Sequence, residues 1–299
     1  MRAWRYRYQG LHVFSELELP EWAAFHSEFT CAADVEISLA KDSEKWLAEP
    51  GCASQFIDAR EYRFCIQGIG LFQVRDGRRI AVAPQPGAKS RQIRPYVLGS
   101  AWGALCYQAD IFLVHASAVR VGGEAILFCA PPGAGKSTLA AHLIRKGFAL
   151  LSDDTCRIDV PALGVPAVHP SAPRLRLWRD ALLELGCKED QLEPDHKKQG
   201  KFNLTLSAEQ SPEPLPLRAI YLLNWGDCRI ERLFGLSALS EFLPAATYRA
   251  EWLEPMRLLH AHSMRCAELL RRVPLYQFWR PRDLSGMNEA TDTLTRSWF

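Results

Sequence analysis

Apolar and polar residues alternate over several short stretches near the start of the chain, and that two-residue period predicts strands at Trp4 to Tyr8 and Val35 to Ala40. Tyr62 to Ile66 and Leu71 to Val74 continue the pattern, and Asp76-Gly77 is a hairpin turn leading into Arg79 to Val82. Residues 1–90 are therefore expected to form a β-rich N-terminal module that closes at the linker-like Pro84-Gln85-Pro86-Gly87. The period then lengthens. Tyr96 to Asp110 sets Leu98, Trp102, Leu105 and Cys106 on one helical face and is expected to open a second domain, residues 91–299. There, short apolar runs at Ile111 to Val114, Ala125 to Phe128, Phe148 to Ser152 and Ala219 to Leu223 predict buried strands. Helical stretches between about 236 and 272, a closing strand at Pro274 to Phe278 and a last helix from about Leu284 complete an α/β pattern without internal repeats.

Composition narrows the function classes. A chain of 299 residues, 48% hydrophobic, suits two compact domains or one domain with a sizeable appendage. Its formal charge is +2, from 36 basic and 34 acidic residues, which supports neither a nucleic-acid nor a membrane-surface role. Nine cysteines, with no C-x-x-C pair and with Cys129 and Cys156 on predicted buried strands, read as reduced core thiols. The opening Met1 to Arg7 leads into aromatic and polar alternation instead of a signal peptide, and the expected compartment is the cytoplasm.

The candidate chemistry lies in Phe128-Cys129-Ala130-Pro131-Pro132-Gly133-Ala134-Gly135-Lys136-Ser137-Thr138. A short apolar strand runs into a glycine-rich turn, a lysine and two hydroxyls, and an amphipathic helix follows with Leu139, Leu143 and Ile144 on one face. Such a turn curls backbone N–H groups around phosphate oxygens, while Lys136 supplies a point charge and Ser137 an oxygen for Mg²⁺. Ala130 stands where the full pattern has its first glycine, which is harmless at negative φ. Gly147 ends the helix, and the strand after it delivers Asp153-Asp154. A helix of about eleven residues rises roughly 16 Å and a strand of about five returns a similar distance, so both carboxylates arrive beside Lys136. One carboxylate can hold Mg²⁺ and the other can take a proton from a hydroxyl. Ahead of the loop, Val119 to Ile126 has the form of a hairpin turning at Gly122-Gly123, so the loop strand is expected to pair antiparallel with its predecessor. Arg174 and Arg176 alternate with Leu175 and Leu177, and a bidentate guanidinium suits phosphoryl oxygens. A basic cluster, His196-Lys197-Lys198-Gln199-Gly200-Lys201, reads as a polar loop.

His115-Ala116-Ser117-Ala118-Val119, the hairpin, the loop, Leu151-Ser152-Asp153-Asp154 and Pro173 to Trp178 follow one another in the order found in HPr serine kinase-like proteins. From about residue 95 to 285 the chain resembles that family. It is most similar to the members found with lasso peptide biosynthesis genes, which phosphorylate a precursor peptide on serine. The resemblance implies a phosphoenolpyruvate carboxykinase-like P-loop kinase core and the cofactors ATP and Mg²⁺. It implies that Gly133, Ala134, Gly135, Lys136, Ser137 and Thr138 hold the phosphates and that Ser137 and Asp154 hold the metal. Asp153 is then the general base, His115 lies near the transferred phosphoryl group, and Arg174 or Arg176 steadies that group. The implied partner is a peptide or small protein with a serine hydroxyl, and members of the broader family commonly form homo-oligomers. The glycine-rich signature that follows the basic segment in genuine HPr kinase is absent, so neither HPr as acceptor nor the reverse reaction is implied. A kinase for a small-molecule hydroxyl, a non-catalytic nucleotide-binding regulator and an enzyme of phosphate-ester hydrolysis or phosphorolysis are the other readings that the same residues allow.

Overall fold

A computed structural model of the protein describes residues 3–40, 55–184, 186, 193–194, 200–206 and 213–298. The chain divides into two compact units, one of residues 1–113 with 249–262 and the other of residues 114–248 with 263–299.

In the first unit the alternating segments form strands β1 (Trp4–Tyr8), β2 (Leu11–Ser15), β3 (Val35–Leu39), β4 (Phe56–Ile57), β5 (Glu61–Ile66), β6 (Gly70–Arg75) and β7 (Arg79–Pro84). They make one sheet in the order β1-β2-β3-β7-β6-β5-β4. Asp76 (φ 54°) and Gly77 (φ 63°) turn β6 into β7 with the left-handed pair that matches strand twist. Helix α1 (Ser90–Tyr96) starts earlier than the apolar pattern predicts, passes through Pro95 and a π turn at Val97–Ala101, and continues as α2 (Trp102–Gln108). The extra residue of the π turn rotates the buried face, so Val97 is buried while Leu98, expected there, is only half-buried. Trp22 stacks on Tyr8 with ring centroids 4.0 Å apart and meets Trp102 edge-on at 5.0 Å, and the Trp102 indole N–H donates to Gln9 at 3.0 Å.

A two-residue strand, β8 (Leu113–Val114), precedes β9 (Ala116–Val121) and β10 (Glu124–Cys129). The last two form the expected antiparallel hairpin at Gly122-Gly123, with Gly122 left-handed at φ 60°. Helix α3 (Lys136–Arg145) follows β10. It stops where Gly147 takes φ 94°, the Gly147 N–H donates to the Ile144 carbonyl at 2.9 Å, and the Phe148 N–H donates to the Leu143 carbonyl at 3.1 Å. This pair of bonds satisfies the last carbonyls and reverses the chain into β11 (Ala149–Asp153). Next come β12 (Cys156–Asp159), β13 (Ala167–Val168), β14 (Arg174–Trp178), α4 (Arg179–Glu184), β15 (Glu193–Pro194), β16 (Lys201–Thr205), β17 (Leu215–Trp225), β18 (Arg229–Leu233), α5 (Gly235–Ala246), α6 (Leu259–Arg272), β19 (Leu275–Arg280) and α7 (Met287–Arg296).

The main sheet of the second unit runs β11-β9-β10-β17, with β17 paired parallel to both β10 and β19, and with β18 antiparallel on the far side of β19. The carboxyl ends of β10, β11, β17 and β19 therefore share one edge with the start of β9. A core of Val119, Ile126, Phe128, Leu150, Leu175 and Phe278 packs against Leu139, Ala140 and Leu143 of α3 and against Ala290 and Leu294 of α7. The architecture is mixed α/β with several sheets, and among the described residues no helix is long and apolar enough to cross a membrane.

Candidate nucleotide site

The turn after β10 is shaped by its glycines. Gly133 (φ 88°) and Gly135 (φ 77°) occupy the left-handed region that side chains resist, while Ala130 keeps a negative φ and fits without cost where the pattern has glycine. Gly135 caps α3, whose first N–H groups lack partners within the helix and point at the loop, so the loop and the helix dipole together favour an anion. Cys129, the last residue of β10, lies fully buried, and burial pushes its thiol up to about 12. The Cys156 thiol, also buried, donates to the Ala116 carbonyl at 3.3 Å.

Lys136 is only 6% exposed. Its ammonium donates to the Ala130 carbonyl at 2.8 Å and stands 2.9 Å from Nε2 of His115. His115 occupies the single residue between β8 and β9, and its Nδ1 is 2.8 Å from the Asp154 carbonyl oxygen. A carbonyl can only accept, so Nδ1 carries the proton and Nε2 receives the lysine: the ring is the neutral Nδ1–H tautomer. Burial first, and the Lys136 charge second, hold His115 below its ordinary value; burial likewise lowers Lys136.

The two aspartates have different surroundings. Asp153 ends β11 directly opposite Ser117 of β9. Its carboxylate accepts the Ser117 hydroxyl at 2.5 Å and the Ser137 hydroxyl at 3.0 and 3.1 Å, and its backbone N–H donates to Ser171 Oγ at 3.3 Å. Burial raises its pKa against those hydroxyls. Asp154 takes a left-handed φ of 71°, and the Thr155 N–H bonds across it to the Asp153 carbonyl at 2.9 Å. A non-glycine residue at the centre of so tight a turn is strained, and strain of this kind gathers at functional sites. The turn sends the Asp154 side chain, 34% exposed, to the Arg176 guanidinium, with which it makes an ion pair, and within 3.7 Å of His115.

Six sequence candidates thus join one network: His115, Lys136, Ser137, Asp153, Asp154 and Arg176. Arg176 reaches it because β14 turns Leu175 and Leu177 inward and the arginines to the other side, as the alternation predicts. Arg174 shares that side. Ala134 and Thr138 lie in the loop and the first turn of α3. His196 to Gln199 fall outside the described residues, and of that basic cluster Gly200 and Lys201 remain, the latter opening β16.

Four residues that the sequence did not single out belong to the site. Ser117 is a buried polar residue in a largely apolar strand, where only Arg120 is also polar and it faces out; Ser171 fixes the backbone of Asp153. Arg280, 1% exposed at the end of β19, donates to the Ala134 carbonyl at 2.7 Å and lies 4.3 Å from the centre of the Trp225 ring. Burial lowers its pKa to about 10. A Cβ on Gly135 would come within 2.6 Å of Arg280 Nη2, so any side chain there would push the guanidinium aside, and the left-handed φ favours glycine independently.

The oxygen donors fit a magnesium ion. Asp153 and Ser137 offer a carboxylate and a hydroxyl side by side, and among the described residues no cluster of three His, Cys, Asp or Glu forms a complete protein cage. Magnesium bound by one or two protein oxygens, with water and phosphate filling the rest, needs no more.

No protein-family model matches the chain, and no curated protein sequence matches it. Among solved structures it is similar to the HPr(Ser) kinase/phosphatase from Coxiella burnetii, at 10% identity over 62% of this chain and 96% of that one, with a TM-score of 0.32. A similarity of that size lends no weight to a particular fold family or activity.

Proposed function

We propose that the chain is a kinase that uses Mg-ATP to phosphorylate a hydroxyl, with a serine of a peptide or small protein as acceptor, and that its second unit is a phosphoenolpyruvate carboxykinase-like core. The observation that carries this reading is the direct bond from Ser137, the loop hydroxyl, to Asp153, with Lys136, His115, Asp154 and Arg176 linked beside it. A loop that only bound nucleotide would not need a second carboxylate, an imidazole and a guanidinium at its edge. The serine acceptor, and a lasso peptide precursor in particular, follow from the sequence resemblance alone.

The surroundings of the aspartates favour an exchange of the roles first expected. Asp153, already receiving two hydroxyls, suits the metal shell together with Ser137. Asp154, more exposed and beside His115, suits the acceptor. Magnesium supplies charge neutralisation on the phosphates when bound. Lys136, released from the Ala130 carbonyl, turns its ammonium onto phosphate oxygens, and the loop N–H groups hold them. The acceptor oxygen forms a bond to the terminal phosphorus as the bond from that phosphorus to the bridging oxygen breaks. ADP leaves with the electron pair, and the hydroxyl proton passes to an Asp154 carboxylate oxygen. Arg176 then balances the charge gathering on the transferred group.

Mass spectrometry of the purified protein with Mg-ATP and candidate serine-containing precursor peptides tests the reading. Wild type should add one phosphate; Lys136→Ala should slow transfer by roughly 10²–10³-fold, the scale of a removed transition-state donor. Asp154→Asn should stop transfer with ATP binding intact, whereas Asp153→Asn should weaken Mg-dependent ATP binding. Near-normal turnover in Lys136→Ala would sink the assignment, and transfer surviving in Asp154→Asn but not in Asp153→Asn would restore Asp153 as base.

A further inference from the structure

The strand order sorts the groups around the loop into two sides. β11 and β9, carrying Asp153, Asp154, Ser117 and His115, lie to one side of the loop strand β10; β17 and β19, ending in Trp225 and Arg280, lie to the other. This inference rests on the nucleotide reading above. If the terminal phosphate faces Asp154 and His115, the phosphate chain crosses the loop and its nucleoside emerges on the β17 side. Trp225 waits there. It is three residues past Leu222, which pairs with Cys129 at the end of β10, so it stands at the same sheet edge as the loop. Its Cη2 is 3.6 Å from where a Cβ on Gly135 would be.

The indole is held but not covered. Arg280 lies against the ring at 4.3 Å, anchored to the loop through the Ala134 carbonyl, yet Trp225 remains 43% exposed. Gly226, the next residue, ties its N–H to the Arg280 carbonyl at 3.0 Å, which fixes the two strand ends to each other. The guanidinium is nine-tenths buried or more, and its Nε has no hydrogen-bond partner among the described residues. An arginine with no carboxylate paired to it among the described residues, used as the backing of an exposed aromatic ring next to a phosphate loop, is the construction expected of a stacking platform.

We propose that Trp225, backed by Arg280, is the platform on which the base of the bound nucleoside triphosphate stacks. Stacking uses the π-face common to all bases, so the platform adds affinity with little choice between ATP and GTP.

Titration calorimetry of wild type, Trp225→Ala and Trp225→Phe with Mg-ATP and with magnesium tripolyphosphate, which has the phosphates and no base, separates the possibilities. Removing one stacking partner should weaken ATP about tenfold in Trp225→Ala. Tripolyphosphate affinity should not change, and Trp225→Phe should recover most of the loss. Equal ATP affinity in Trp225→Ala overturns the platform, as does an equal loss for ATP and tripolyphosphate, which would make Trp225 a support of the loop. A wild type that binds tripolyphosphate no worse than ATP overturns it while the phosphate loop stands. A wild type that binds neither refutes the phosphate loop itself and this inference with it. Melting temperatures of the variants confirm that each is folded before its affinities are compared.

Discussion

His115 is the residue on which most lines of force converge, since its two nitrogens join the lysine of the loop to the backbone of the acidic pair. Burial and the Lys136 charge lower its folded pKa beneath the usual 6.5. The unfolded chain therefore binds a proton near pH 6.5 that the folded chain refuses, so the stability linked to neutral His115 is complete above about 6.5 and is lost as pH falls from there towards the folded value. Thermal melts between pH 8 and 5 should show that decline, and His115→Asn, whose amide N–H stands where Nδ1 does and keeps a donor for the Asp154 carbonyl, should flatten it; parallel profiles for the two proteins would refute the linkage. Raised Asp153 acts in the opposite direction at lower pH, which is why the difference between variants is the informative quantity. At this scale Lys136, Ser137 and the aspartates were legible in the sequence because their chemistry is local to one loop–helix–strand segment. Which aspartate meets Ser137 was not legible, because the left-handed turn at Asp154 decides it and an aspartate gives no sign of such a turn. Arg280 and Trp225 were silent for a different reason: each is an ordinary strand-end residue until β17 and β19 are laid beside β10.

Elements were legible where one period held without interruption. β1, β5, β6 and β7 lie close to their alternating segments, and the Gly122-Gly123 hairpin announced the antiparallel partner of the loop strand. The α1 to α2 stretch was misread at its start because Pro95 argues for a boundary. The chain instead continues through it, with Ile93 and Val97 on either side both buried and a π turn following at Val97–Ala101. Gly147 shows how much one reversal controls, because α3 must stop there for β11 to return its aspartates to the loop. Its φ of 94° is open to glycine and strained for alanine, and nothing lies within 4 Å of an added Cβ, so Gly147→Ala carries the backbone cost alone. A loss of about 1–2 kcal/mol, the left-handed penalty for a residue with a Cβ, should appear in denaturant unfolding at unchanged slope. A loss near zero would mean that the reversal does not depend on that conformation.

For the whole molecule, the contacts divide the chain differently from its linear pattern. The N-terminal strands hold α1, α2 and residues 249–262 in one unit: Trp102 packs on Tyr8 and Trp22, and Trp252 lies 4.8 Å from Tyr62. A cut at residue 90 would strip Trp102 and Trp252 of these partners, so the first unit is better probed by substitutions on its surface than by truncation. The second unit carries a different kind of opportunity in the thiol of Cys129. That sulfur is closed off at the end of the loop strand, and burial keeps it protonated. A thiol reagent can reach it only when the strand opens, so the labelling rate of this one cysteine, followed peptide by peptide after the exposed Cys31 has reacted, is a clock for that opening. A ligand that binds only the closed loop slows the clock by 1 + [L]/Kd, about a hundredfold at a hundred times Kd. Mg-ATP should do so and Mg-AMP, without the two outer phosphates, should do so far less; equal rates with and without Mg-ATP would mean that no nucleotide engages the loop. The buried sulfur thereby turns the protein into its own affinity gauge, readable before its phosphate acceptor is known.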